Sequence, residues 1–341
     1  MLSYILKRIA LMLPTLLGVL TVAFVVIQFV PGGPVEQIMA QARIGAGGAY
    51  KARGDTDAKQ IEALKKLYGF DKPAPVRYVE MLKNFASFDL GTSFMQNKPV
   101  WSLIKEKLPV SISLGLWTFV ISYLISLPLG IAKAVRAGTR FDAVSTFFVM
   151  FGFAIPGFVL GVFLIVLFCG GTFWELFPLR GLTSDNWHEL SWGGRIRDYF
   201  WHLTLPLTCL VIGSFAEVTM LTKNTFLEEM RKQYVLVARA KGLAPPRVLW
   251  KHILRNALVP LVTGFPAAFI GAFFTGALLI ETLFSLDGLG LLSYEAILRR
   301  DYPVVLGSLY LFTLIGLVVK LIADLLYVVV DPRVQFQSVA R

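Results

Sequence analysis

The order of apolar and polar residues along the chain is dominated by six long apolar stretches. Each is long enough, at about 1.5 Å per helical residue, to cross a hydrocarbon core about 30 Å thick. Lipid offers the backbone no hydrogen-bond partners, so these stretches are predicted to be helices. The predicted spans are residues 9–30, 108–132, 143–169, 203–221, 259–280 and 304–330.

The first stretch is predicted to be a permanent membrane helix. Lys7 and Arg8 precede it, as they would in a signal peptide. The stretch is about 22 residues long, which exceeds a signal-peptide core and suits a spanning helix.

Composition supports a membrane protein. Of the 341 residues, 56% are hydrophobic and 16% charged, whereas about a quarter of residues are charged in soluble domains. The net charge is +11, and its Lys and Arg residues cluster beside apolar stretches. That distribution favours membrane topology over nucleic-acid binding. Cys169 and Cys209 lie within apolar stretches and are predicted to pack there, without a disulfide or metal role.

The basic residues also predict the orientation. Lys and Arg are in excess in the loops at 133–140 and 223–255. By the positive-inside rule these loops and both termini face the cytoplasm. Residues 31–107 then form a small extracytoplasmic insertion, with amphipathic helices predicted over 59–68 and 76–85. The aromatic-rich segment 170–202 is also predicted to lie outside, where its rings would either sit at the lipid interface or contact a binding protein or substrate.

The loop between the fourth and fifth spans has a distinctive pattern. A helix is predicted over 225–241, followed by Gly242 as a residue able to take positive φ. Pro245 and Pro246 then begin a second, amphipathic helix. We predict a basic row of Arg247, Lys251 and Arg255 and an apolar stripe of Trp250, Ile253, Leu254, Ala257 and Leu258. The pattern alone fits either a basic anchor at the membrane surface or a knob for a partner's groove.

The sequence contains no recognisable catalytic, cofactor or metal motif: GxxxxGK[ST], HExxH and GxSxG are all missing. Four charged residues fall within or beside spans, namely Glu217, Glu281, Lys320 and Asp324. Such residues can serve ion transport. Their small number favours a role in contacts between helices or in anchoring helix ends. Gly152, Gly157 and Gly161 are predicted to mark close helix packing.

Two motifs in the fourth loop resemble a known family. Tyr234 to Leu243 reads YVLVARAKGL and His252 to Pro260 reads HILRNALVP. Together they resemble the EAA loop of binding-protein-dependent ABC importer permeases, in the form found in the dipeptide/oligopeptide/nickel family. Further matches are PGGP at 31–34, YGFDKP at 68–73, DLG at 89–91, ETLF at 281–284, GLG at 288–290 and RDYP at 300–303.

Within that family the chain is similar to the Yej-type oligopeptide and microcin C permeases. This likeness rests on FPLRG at 177–181, TMLTKN at 219–224 and RKQY at 231–234. The chain departs from the family where Gly33 replaces a frequent acid and Phe88 a frequent glycine. The glutamate of the general EAA consensus is also missing, so docking would depend on the glycine turn and a surface formed by Ala238 and Ala240.

The resemblance implies an all-α integral membrane protein of the bacterial inner membrane, with the type I ABC importer permease fold. Residues 1–30 would be the first membrane helix, 31–107 the insertion, and 108–341 a five-helix core whose loop 223–258 couples to an ATPase. The implied contact residues are Tyr234, Ala238, Arg239, Ala240, Lys241, Gly242 and Leu243.

The implied partners are ABC ATPase subunits, which hold ATP and magnesium, a second homologous permease, and an extracytoplasmic substrate-binding protein. The implied cargo is a peptide or peptide-like compound. This chain would bring no cofactor and catalyse no reaction. An ion-driven secondary carrier and a structural membrane scaffold are the alternatives. A carrier does not need the helix–glycine–helix loop, and a scaffold predicts no transport defect when it is deleted.

Overall fold

The computed structural model describes residues 2–29, 62, 66, 70–169, 173–274 and 277–330. Within these ranges the fold is helical. The β-type pairing described there is an isolated antiparallel bridge between Thr92 and Pro99. The helices are α1 (Leu2–Phe29), α2 (Ala74–Ala86), α3 (Val100–Val135), α4 (Arg140–Ala154), α5 (Gly157–Phe168), α6 (Trp192–Met230), α7 (Gln233–Ala240), α8 (Pro245–Arg247), α9 (Leu254–Ala257), α10 (Val259–Phe274), α11 (Ala277–Leu283), α12 (Leu289–Leu298) and α13 (Tyr302–Val330).

Part of the predicted insertion lies outside the described residues. The helix predicted over 59–68 is described only at Glu62 and Lys66, and the PGGP motif at 31–34 is not described. The predictions made for these segments therefore stay predictions.

Four described helices are long and apolar enough to cross a membrane: α1, α3, α6 and α13. They contain the first, second, fourth and sixth predicted stretches. α6 is much longer than predicted, with 39 residues, because polar residues at both of its ends continue the helix beyond the apolar segment.

The third predicted stretch is not one straight helix. It divides into α4 and α5, which meet at an angle of 89°. Pro156 has no backbone N–H and disfavours helical geometry in the residue before it. Ile155 is accordingly extended, with φ −89° and ψ 116°, so the local chemistry of an X-Pro pair overrides the continuous apolar pattern.

The fifth predicted stretch contains two described helices. α10 covers 16 residues and α11 covers 7, with residues 275 and 276 outside the described ranges. The count of six spans therefore stays a prediction.

The chain divides into two compact units, and the first comprises residues 1–108 and 291–318. In this unit α2 confirms the amphipathic helix predicted over 76–85, and its buried Phe85 packs on Tyr310 with ring centroids 5.1 Å apart. Buried Asp301 accepts hydrogen bonds from Ser93 Oγ at 2.5 Å and Phe94 N at 3.0 Å. These bonds join the RDYP motif at 300–303 to the residues that follow the DLG motif at 89–91.

Phe88 adopts a backbone conformation that favours glycine. Its φ is +59°, a left-handed conformation that costs a side-chain-bearing residue about 1–2 kcal/mol. The ring contacts Tyr310 edge-on at 6.0 Å. Packing therefore offsets part of the strain that a glycine would avoid.

The second unit comprises residues 109–290 and 319–341, and close glycine contacts hold its helices together. A Cβ on Gly157 would lie 2.7 Å from the carbonyl oxygen of Cys209, and one on Gly152 would lie 3.0 Å from Ile212. A Cβ on Gly161 would meet the side chain of Leu283 at 3.2 Å. The close packing predicted for the three glycines is confirmed. Buried Cys209 lies in a hydrophobic cluster with Leu203 and Phe284.

Glu281 is the one of the four membrane-region charges that the structure buries completely. Ser111 Oγ donates to its carboxylate at 3.5 Å and accepts from the backbone N–H of Leu289 at 2.8 Å. A Cβ on Gly288 would collide with the same carboxylate. The ETLF and GLG motifs are thus joined by a carboxylate that fits because the facing residue is glycine, whereas Glu217 is exposed.

We predict that Gly130→Ala destabilises the chain. The added Cβ would lie 2.6 Å from Thr222 Cβ and 2.8 Å from the carbonyl oxygen of Thr219, so α3 and α6 must separate. Overpacking of this kind costs about 1–3 kcal/mol. Thermal unfolding in detergent should show a lower Tm.

The matched control is Gly213→Ala, where no heavy atom lies within 4 Å of the new Cβ. This change should leave the Tm unchanged or raise it, because alanine favours helix over glycine. Equal Tm values for the two variants would show that α3 and α6 do not pack as described.

Candidate functional site

The candidate site is the loop at residues 223–258, which we call the coupling loop after the role predicted for it. Its first helix is interrupted. The predicted helix over 225–241 divides into the end of α6 at Met230 and the separate α7. Lys232 is extended, with φ −72° and ψ 150°, and redirects the chain between them. Helix-forming residues occupy the whole stretch, so local propensity does not reveal this corner.

α7 ends in a Schellman motif centred on Gly242. The N–H of Gly242 donates to the carbonyl of Arg239 at 2.9 Å, and the N–H of Leu243 donates to that of Ala238 at 3.3 Å. Gly242 has φ +79°, the left-handed conformation that glycine adopts without steric cost. The predicted glycine turn is therefore confirmed.

The second helix begins at Pro245, as predicted, but Val248–Ile253 has π-helical geometry. Hydrogen bonding to the fifth residue widens the turn and shifts which side chains face inward. Val248, Ile253 and Ala257 are buried, while Trp250 is 57% exposed. Trp250, Leu254 and Leu258 of the predicted apolar stripe line one groove together. Ile253 and Ala257 are instead buried beside Val248, which the prediction omitted. The predicted basic row is exposed, as expected, at Arg247, Lys251 and Arg255.

A hydrophobic cluster lies beneath the loop. Phe226 of α6, Val235 of α7 and Ile253 are almost completely buried, and they pack with Ala134 of α3. The loop is therefore packed onto the ends of two long helices.

The seven predicted contact residues divide between the surface and this cluster. Ala238 is buried, because it follows buried Val235 by three residues and so shares the inner face of α7. The expected surface of Ala238 and Ala240 was therefore wrong for Ala238. Tyr234 and Leu243 are half-buried, and the remaining four residues are exposed: Arg239, Ala240, Lys241 and Gly242.

Sequence reasoning missed two exposed apolar residues beside the glycine turn. Leu236 is 59% exposed and Val237 is 52% exposed. They lie on the outer face of α7, because Val235 and Ala238 define its inner face. Their signal in the sequence is an apolar run too continuous for one face of a helix. We name Leu236, Val237, Ala240 and Gly242 the α7 knob.

Glu229 fixes α7 against the end of α6. Its buried carboxylate accepts a hydrogen bond from the hydroxyl of Tyr234 at 2.6 Å and another from the ammonium of Lys232. Burial, reinforced by the bond to Glu229, raises the pKa of Tyr234 to about 12. The hydrogen bond to Glu229 also raises the pKa of Lys232. No sequence pattern indicates this contact, because it depends on the corner at Lys232.

A buried charge cluster fixes the start of the loop. Lys223 donates to both oxygens of Asp142 at 2.6 and 2.8 Å. Lys133, which is completely buried, lies 3.3 Å from Asp142 Oδ1 and donates to Ser145 Oγ and Thr146 Oγ1. One carboxylate thus joins α3, α4 and α6, although the sequence pattern identified Lys133 and Lys223 only as topology signals.

We predict that the Tyr234–Glu229 contact makes the loop sensitive to alkaline pH. A tyrosine whose folded-state pKa is raised contributes stability that is complete below its ordinary pKa, near 10, and is lost as pH rises toward about 12. Tyr234→Phe should remove this dependence of Tm on pH between about pH 10 and 12. Subtracting the ultraviolet titration curve of Tyr234→Phe from that of wild type isolates the Tyr234 phenol. That phenol should ionise near the top of this pH range.

The control is Tyr294→Phe, which removes an exposed phenol outside the loop. Its Tm should keep the wild-type dependence on alkaline pH, because the contact with Glu229 is intact. If the difference titration showed that the wild-type Tyr234 phenol ionises near pH 10, the ordinary value for tyrosine, the buried contact with Glu229 would be disproved.

Comparison with known proteins identifies the family of the chain. Residues 126–336 match the family described as binding-protein-dependent transport system inner membrane component. The chain is 50% identical to the peptidoglycan transport system permease protein YejB of Agrobacterium fabrum, with 98% of each chain covered. It is 48% identical to the inner membrane ABC transporter permease protein YejB of Escherichia coli O157:H7, covering 98% of this chain and 99% of that one.

A more distant relative is the oligopeptide transport system permease protein AppB of Bacillus subtilis. It is 34% identical, with 98% of this chain and 100% of AppB covered. The family match includes the whole coupling loop, and the relatives align over nearly their full lengths. The chain belongs to the family of binding-protein-dependent transport system inner membrane components.

Proposed function

We propose that the chain is the membrane-spanning permease subunit of an ATP-driven importer of peptides or peptide-like compounds. It crosses the inner membrane six times with both termini in the cytoplasm, and residues 31–107 lie outside. A separate ABC ATPase supplies energy, an extracytoplasmic protein delivers the cargo, and a second homologous permease forms the other half of the pathway.

The observation that carries this proposal is the α7 knob. Leu236 and Val237 present exposed apolar side chains at the tip of a loop whose base is packed and hydrogen-bonded. An exposed apolar patch on a rigid support is typical of a protein-binding surface. In the membrane topology predicted from charge, this surface faces the cytoplasm, where an ATPase would be found.

The peptide cargo is supported by the names of the relatives. They are described as permeases for peptidoglycan transport and for oligopeptide transport. Both descriptions concern peptides or peptide-containing compounds, so we assign this cargo class to the chain.

The contacts of the loop suggest how its movement would reach the membrane helices. ATP binding closes the ATPase dimer and moves the α7 knob with it. The Phe226–Val235–Ile253 cluster and the Asp142 carboxylate join the loop to α3, α4 and α6. The ATPase can favour the outward-facing arrangement only by binding it more tightly than the inward-facing one.

Gly242→Val should uncouple ATP hydrolysis from uptake. A β-branched residue at φ +79° is strained, and its side chain projects from the knob into the docking surface. We expect membrane insertion to persist while peptide-stimulated ATPase activity and uptake fall by about tenfold or more, as a loss of about 1.4 kcal/mol would produce. The measurement is coupled ATPase activity and uptake in proteoliposomes containing the complete transporter.

Gly181→Val is the matched control. Gly181 has φ +77°, close to that of Gly242, and among the described residues a Cβ there would approach only the carbonyl oxygen of Thr183, at 3.4 Å, but it lies between α5 and α6, outside the loop and its charge cluster. Its variant should share the backbone strain and keep the coupling. If both variants lost ATPase stimulation and uptake equally, the loss would be due to backbone strain and not to docking. Uptake that is independent of ATP but abolished by an uncoupler would favour an ion-driven carrier.

Leu236→Asp should weaken assembly with the ATPase without unfolding the chain. The side chain is 59% exposed, so the charge costs little in the isolated subunit but must be desolvated in the complex. Copurification of the ATPase with the tagged permease should fall. Leu176→Asp, at a site 50% exposed outside the loop, should not change it, and full ATPase recovery with Leu236→Asp would contradict docking through α7.

A further inference from the structure

The first unit contains a cavity of about 490 Å³ that differs from the coupling loop in position and chemistry. One wall is the face of α2 that bears Arg77, Glu80 and Asn84, which follow one another at helical spacing. Volumes of about 300–1,000 Å³ are typical of small-molecule sites. This cavity combines charged groups with aromatic walls, as such sites do.

Arg77 is the cationic group of the cavity. One Nη donates to Gln28 Oε1 at 2.7 Å, and the guanidinium carbon lies 5.2 Å from the centre of the Phe70 ring. Nε is buried and has no hydrogen-bond acceptor among the described residues. Burial lowers the pKa of Arg77, but a guanidinium remains charged. Its partners are an amide and a ring, so it retains the capacity to bind a carboxylate.

Asp89 supplies a negative group in the same cavity. Its Oδ1 accepts a hydrogen bond from the backbone N–H of Gly91 at 2.9 Å. This bond fixes the carboxylate in the connection between α2 and α3, where it lines the cavity. The other acidic residue of the lining, Glu80, is already paired with Lys72 at 2.6 Å. Asp89 is therefore better placed than Glu80 to receive a cation.

Aromatic rings complete the lining. Phe24, Phe70, Phe94 and Tyr302 contribute to the walls, and Phe70 contacts Phe94 and Tyr302 edge-on at 5.7 and 6.4 Å. Asp301 holds the Phe94 backbone through its N–H. The rings are thus supported by one another and by a buried carboxylate.

We infer that this cavity binds a short zwitterionic peptide, with its C-terminal carboxylate on Arg77, its ammonium on Asp89 and its side chains against the rings. The inference rests on the proposed peptide transport and adds a receiving site on the extracytoplasmic side. A peptide satisfies all three kinds of group in one ligand, whereas a fatty acid would leave Asp89 without a counter-charge.

The test uses the full chain in lipid nanodiscs and isothermal titration with alanyl-phenylalanine, its C-terminal amide and its N-acetyl form. The free dipeptide should bind about tenfold or more tightly than either blocked form, because each blocked form loses a charge-assisted contact. Arg77→Gln should weaken binding of the free dipeptide by a similar factor and leave binding of the amide unchanged. Asp89→Asn should likewise weaken binding of the free dipeptide and leave binding of the N-acetyl form unchanged.

Two variants keep the result interpretable. Arg136→Gln removes another guanidinium held over a ring, at 5.1 Å from Phe141, but outside the cavity, and should leave dipeptide affinity unchanged. Arg77→Lys keeps the charge without the guanidinium fork and should recover part of the affinity. A Tm equal to wild type for each variant confirms that folding is intact.

Several results would overturn the inference: no binding by wild type, equal affinity for free and amidated dipeptide, or no effect of Arg77→Gln. If Arg77→Gln instead weakened only the capture of an extracytoplasmic binding protein, the cavity would belong to that interface. The titration needs no ATPase. If wild type bound no dipeptide but ATP-driven uptake was normal, only the cavity assignment would be rejected. Binding without any ATP-driven uptake would reject the proposed function.

Discussion

Burial of the Lys133 ammonium is the constraint on which the loop-bearing end of the second unit depends. A fully buried charge is costly unless it is paired and hydrogen-bonded. Asp142, Ser145 and Thr146 satisfy it, and Lys223 balances the second oxygen of the same carboxylate. Three helices must therefore keep their relative positions for any one of these charges to remain satisfied, and the coupling loop begins at this fixed point.

Tight packing limits how the loop can transmit movement. The loop contains its own hydrophobic cluster and its own buried carboxylate, Glu229. Glycine contacts bring α5 against α6 and α11, leaving little space for side-chain rearrangement. A docked ATPase would therefore displace packed helices as bodies, because the helices that the glycines bring together interdigitate closely.

The parts of the fold that could be predicted were those set by local chemistry. Apolar length revealed the long helices, and Gly242 and Pro245 marked the boundary between the two loop helices because φ preferences act within one or two residues. Contacts between distant residues were beyond sequence reasoning. The contact of Lys133 with Asp142, the corner at Lys232 and the inward face of Ala238 all depend on which helices meet.

The coupling loop lacks the consensus glutamate of its family, and an internal contact orders the α7 knob. Glu229, five residues before Tyr234, holds α7 from within the chain. The contact with a partner is then left to apolar and backbone surface around Leu236 and Gly242. Specificity would arise from shape more than from a charge pair.

The contact between Lys133 and Asp142 also has a consequence for biosynthesis. The two residues are nine positions apart, on the facing ends of α3 and α4. They can neutralise each other while this hairpin enters the bilayer, before the ribosome has made α6. Lys223 joins them only when α6 is synthesised, so α3 and α4 already carry the carboxylate that the later helix contacts.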